Sequence, residues 1–68
     1  MDRRREARRI AAEYVERYGD HAVEVIRRYC IEAHARGHHS LYRGWRDVGV
    51  AADELVEEQR EGRSGAPR

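Results

Sequence analysis

Residues 40–55 read SLYRGWRDVGVAADEL, and within them Leu41, Trp45, Val48, Ala52 and Leu55 recur at alternating steps of four and three. That alternation is the short heptad-like seam of a helix that buries one face. Ser40 stands in front of it as an N-cap, so a helix is expected from about 40 to 61. Gly44 and Gly49 oppose it, each costing up to about 1 kcal/mol relative to alanine inside a helix. One of the two is expected to mark a late start or the close approach of another backbone.

Upstream of the seam, Ala7, Ile10, Ala11, Tyr14, Val15 and Tyr18 lie three and four apart, the stripe of an amphipathic helix over about 3–18. Gly19 ends it, because glycine enters the left-handed region without a Cβ penalty, and Asp20 is placed to cap the next helix. From 20 to 36 the apolar positions Ala22, Val23, Val25, Ile26, Tyr29, Cys30, Ile31 and Ala33 cover more than one stripe, as in a central helix contacted from two sides. Gly37 repeats the stop. The expectation is an all-α domain over 1–61, a small three-helix up-down-up bundle with helices at about 3–18, 20–36 and 40–61. Its rival is a helical hairpin completed by dimerisation. Residues 62–68 read as a flexible tail.

The core is thin. Of 68 residues, nine of the hydrophobic ones are alanine, leaving eleven Val, Ile and Leu, four Tyr and one Trp. A chain this short hides only about 60% of its unfolded surface, so self-association or a protein partner is expected to help hold it. Cys30 is alone and cannot form an internal disulfide. With no apolar leader near Met1 and no run of about 18 apolar residues, the expected address is the cytoplasm, with no membrane contact.

All fourteen basic residues are arginine and the formal net charge is +1, so only the layout of charge matters. In an up-down-up bundle Arg3, Arg4, Arg5, Arg8 and Arg9 would meet Arg36, Arg43, Arg46, His34, His38 and His39 at one pole, while Asp53, Glu54, Glu57, Glu58 and Glu61 gather at the other. Arginine binds phosphate and carboxylate through a planar fork, which makes Arg3, Arg4, Arg5, Arg8 and Arg9 the residues for an anionic or nucleic-acid partner. A solvated charged surface explains most such runs equally well. Arginines at a helix N-terminus oppose its dipole, so either that helix starts later, near Glu6, or a partner compensates.

Cys30, His34 and His38 fall at steps of four with His39 adjacent, a donor set that suits zinc if Gly37 does not break the helix first. The bland alternative is a small packed thiol, a histidine complementing a helix C-terminus and two turn residues. Ala33 and Gly37 imitate the start of a helix-turn-helix, but Arg43 stands where its apolar anchor belongs and the later turns are acidic. Tyr42 flanks the seam and is the aromatic expected at an interface, whereas Tyr29 and Trp45 lie on stripes and are expected in the core. No nucleophile with its base, phosphate-cradling loop or cofactor fingerprint occurs, so catalysis is not expected and no cofactor is implied beyond zinc.

The stretch from Tyr14 to Leu55, with Tyr18-Gly19-Asp20, Ala33-x-Ala35-x-Gly37 and Trp45-x-x-Val48-x-x-x-Ala52-x-x-Leu55, resembles small helical proteins of alphaproteobacteria whose role is unassigned. The resemblance implies a short helical chain and carries over no functional residues. His38 and His39 depart from it, standing where those proteins have an acidic residue after the glycine. The function expected is that of a small helical interaction, accessory or adaptor protein, with metal binding and anion contact as alternatives.

Overall fold

The computed structural model describes residues 2–64, and every element in it is helical. Helix α1 spans Arg3–Tyr18, a single 3-10 turn Gly19–His21 follows, and α2 spans Ala22–Ala35. Helix α3 spans His39–Ser64. No coil segment separates α1, the 3-10 turn and α2, so the described residues form two helical runs, the first turning at Gly19–His21, rather than the three separated helices expected. The cause is local. Gly19 takes φ 61 and ψ −130, a conformation essentially reserved for glycine. Asp20 then continues in the 3-10 turn instead of capping, and α2 opens at Ala22 with no side-chain cap.

The other boundaries also move. Asp2 caps α1, its carboxylate accepting from the backbone N–H of Arg4 at 3.1 Å and of Arg5 at 3.4 Å. That anion, with Glu6 in the first turn, offsets the arginines at the helix start, so α1 neither begins late nor needs a partner to compensate. Gly37, at φ 74, makes the second turn. Helix α3 begins at His39, and the His38 carbonyl accepts from the N–H of Tyr42 at 2.8 Å, which places Ser40 inside the helix. Both Gly44 and Gly49 are helical. Helix α3 runs on through Ser64, three residues into the expected tail, and 65–68 lie outside the described residues.

Helix α3, not α2, is central: α1 and α2 each pack on it and scarcely touch one another. Helix α2 runs antiparallel to it. A methyl placed on Gly49 would lie 3.6 Å from Ile26 Cγ2, and further along α2 Cys30 Sγ lies 3.8 Å from the carbonyl oxygen of Tyr42. Helix α1 lies across α3. Arg3 reaches Asp47 at 3.0 Å and Arg8 reaches Glu58 at 3.0 Å, yet Tyr14, six residues on, has its ring 5.8 Å from Trp45. A helix running alongside would have kept climbing.

The core is built from the alanines that a volume count discounts. Ala11, Ala22 and Ala52 are fully buried beside Ala7, Ala51, Val15, Val48 and Val56, and among the described residues Ile26 is the only large side chain that is completely enclosed. Small side chains let α1 and α2 approach α3 closely. The seam holds at Trp45, Val48, Ala52 and Leu55, but Leu41 is 53% exposed and stands outside the buried core. Ile31, placed by its spacing on the central helix, is 62% exposed.

Nothing lies within 4 Å of where a Cβ on Gly44 would stand, so Gly44→Ala is expected to stabilise the fold by up to about 1 kcal/mol. Gly37→Ala meets equally open space but forces φ 74 on a side chain, and is expected to cost about 1 kcal/mol or more. Thermal unfolding followed by circular dichroism checks both signs.

Candidate functional site

Where the three helices meet, four aromatic side chains form one surface cluster. Tyr29 of α2 stacks on Trp45 of α3, with ring centroids 4.8 Å apart and planes inclined by 23°. Tyr14 of α1 stands edge-on to both, 5.8 Å from Trp45 and 6.3 Å from Tyr29, and Tyr18 lies 5.9 Å from Tyr14 one turn later. Such offset and edge-to-face pairs each contribute about 0.5–1.5 kcal/mol beyond the area they bury. The cluster therefore ties α1, α2 and α3 together. It is also open to solvent: Tyr29 is 39% exposed and Tyr18 is 38% exposed.

Tyr29 thus does not join the core, as its stripe position had implied. Its place on the edge of α2 comes from the crossing of α1, which covers Trp45 from one side only. Burial raises the ionisation of the Tyr14 phenol above the ordinary value of 10.0, and the neighbouring Tyr29 and Tyr18 add to the shift. Among the described residues no buried side-chain polar atom lacks a hydrogen-bond partner.

An apolar groove of about 370 Å³ adjoins the cluster between α1 and the first half of α3. Ile10, Leu41, Gly44 and Trp45 line it, with Asp2, Arg3, Glu6 and Asp47 also on its walls. Gly44 keeps its floor open, since no side chain rises from that position. Trp45 belongs to both features, so cluster and groove form one continuous surface.

Tyr42, the expected interface residue, is half-buried and packs its ring 5.1 Å from that of His34. Cys30 lies 3.8 Å from the Tyr42 carbonyl, as a small packed thiol does. Cys30, His34, His38 and His39 are not brought together. Gly37 breaks the helix between His34 and His38, and no group of three or more His, Cys, Asp or Glu among the described residues is close enough to hold a metal ion.

The arginines of α1 do not form a separate basic pole. Arg3 pairs with Asp47, Arg8 with Glu54 and Glu58, and Arg9 with Glu6 and Glu13. Crossing α3 carries α1 into its acidic half, which the up-down-up arrangement had kept apart. Arg4 and Arg5 line a shallow hollow of about 650 Å³ with Arg3, Arg8, Asp47 and Glu54, without an ion pair of their own among the described residues. All these pairs are solvent-exposed and contribute at most about 1 kcal/mol each.

No protein-family model, curated protein or solved structure matches the chain.

Because folding raises the Tyr14 ionisation, the folded state holds that proton more tightly than the unfolded state. The linked stability is fully present below pH 10 and is lost as pH rises through the folded value. Tyr14→Phe is expected to flatten the decline above about pH 10 while changing stability at neutral pH by less than about 0.5 kcal/mol. Denaturant titrations at neutral and alkaline pH check this.

Proposed function

We propose that this chain is a small cytoplasmic interaction protein, an accessory or adaptor without catalytic activity, that binds a protein partner through its aromatic surface. The observation that carries the reading is the half-exposed stack of Tyr29 on Trp45 beside the groove of Ile10, Leu41 and Gly44. Tyrosine and tryptophan gather at the centres of protein interfaces because a rigid ring removes a large apolar area from water at little entropic cost.

The thin alanine core supports the second part of the reading, that the two helical runs form a hairpin-like unit completed by self-association. The lone thiol of Cys30 is in keeping with a reducing compartment, and no described helix is long and apolar enough to cross a membrane.

Photo-crosslinking in the native cell tests the aromatic surface. With p-benzoylphenylalanine at position 18 or 41, one discrete adduct is expected, and none with it at the exposed position 16 of α1. Tyr29→Ala in the same background should lower the adduct at least tenfold while circular dichroism keeps its helical signal. Equal adducts from all three positions would rule the surface out.

A further inference from the structure

Helix α3 carries a second stripe besides the one facing the core. Arg43, Arg46, Val50, Asp53, Glu57 and Glu61 follow one another at steps of three and four, and every one of them is exposed. Val50, in the middle, is 58% exposed, and among the described residues only Ile31 is a more exposed large hydrophobic side chain. It stands on a ridge, bordering the hollow shared with α1 on one side and, with Arg46 and Asp53, the groove shared with α2 on the other. Neither Arg43, Arg46, Asp53 nor Glu61 has an ion pair among the described residues, and Glu57 has only the loose local contact with Arg60 at 3.7 Å. With all six side chains exposed, this flank of α3 has no covering layer.

The order of charge along the stripe is what singles out an occupant. It is basic at the N-terminal end, apolar in the middle and acidic at the C-terminal end. A second α3 laid parallel would set arginine against arginine and carboxylate against carboxylate. Laid antiparallel about a two-fold axis level with Ala51 and Ala52, it sets Arg46 against Glu57 and Arg43 against Glu61, with Val50 beside Asp53 of the second copy next to the axis. We propose that the protein self-associates through this stripe as an antiparallel two-fold dimer. An isologous contact repeats every pairing twice, so two arginine pairs per copy become four across the interface. This deepens the self-association part of the functional reading and does not involve the aromatic surface.

The contact is modest. The stripe runs about 27 Å at 1.5 Å per residue, one helix wide. That is less than the roughly 800 Å² per partner of a tight complex, so the dimer forms reversibly with concentration and weakens with salt. A helix of the opposite polarity from another protein would satisfy the same charges, and it is the outcome opposed to self-pairing in the test.

Sedimentation equilibrium of the full chain decides it. The wild type is expected to dimerise with concentration at low salt and to shift towards monomer at about 0.5 M salt. The double variants Arg43→Glu with Arg46→Glu, and Glu57→Arg with Glu61→Arg, should each associate at least tenfold more weakly alone. An equimolar mixture of the two should recover the dimer, because both contacts are then complementary again. Tyr29→Ala should leave association unchanged, which separates this result from the test of the aromatic surface. A wild type that stays monomeric, a double variant that dimerises like the wild type, or a mixture that stays monomeric would each overturn the proposal. Circular dichroism of each variant establishes that the exposed substitutions leave the helices formed.

Discussion

The structure depends on close contact between one long helix and two short ones across alanine. Ala11 on α1, Ala22 on α2 and Ala52 on α3 are wholly removed from water, and each contributes only a methyl group to the contact. Little volume is buried, so hydrophobic stabilisation is small, but dispersion between closely packed backbones and side chains partly offsets this. Two consequences follow. A larger residue at these sites would separate the helices, and large side chains that would fill the core of a bigger domain are left at the edges. The half-exposed aromatic cluster is one product of that displacement, and exposed Leu41, Ile31 and Val50 are others.

The path of α1 follows from the same contact. Lying across α3 rather than along it, α1 brings Ala7, Ala11 and Val15 to the centre of α3. It lets Arg8 reach Glu54 and Glu58 on one side while Tyr14 reaches Trp45 on the other. The charges that a parallel bundle would have separated into two poles are interleaved there. The charges left without a partner lie on the flank of α3 that α1 does not cover, where Arg43 and Arg46 make no ion pair among the described residues.

Much of the fold was legible in residue spacing. The step of four and three from Trp45 to Leu55 marks the inner face of α3, and Gly19 and Gly37 mark both corners because their positive φ is costly for any other residue. What spacing does not encode is which neighbour covers a given turn. Leu41 continues the seam in sequence but lies 53% exposed on the wall of the groove beside α1, and Ile31, on a helix whose spacing implied contact from two sides, is 62% exposed. The cap at Asp2 was hidden among arginines whose sign pointed the other way. Of the functional surface, Trp45 was legible as an apolar position, but its stacking with Tyr29 and edge contact with Tyr14 join residues 14, 29 and 45, a proximity set by the crossing angle alone. The donor set Cys30, His34, His38 and His39 was legible as a pattern, and the turn at Gly37 disperses it.

That crossing is the central claim, and Trp45 reports on it directly because it is the only tryptophan in the chain. The measurement is a two-dimensional nuclear Overhauser spectrum of the indole protons in solution. Cross-peaks to the ring protons of both Tyr14 and Tyr29 are the predicted result, since their ring centroids lie 5.8 and 4.8 Å from that of the indole. Cross-peaks to Tyr29 with none to Tyr14 would contradict the account, because α1 would then not lie across α3.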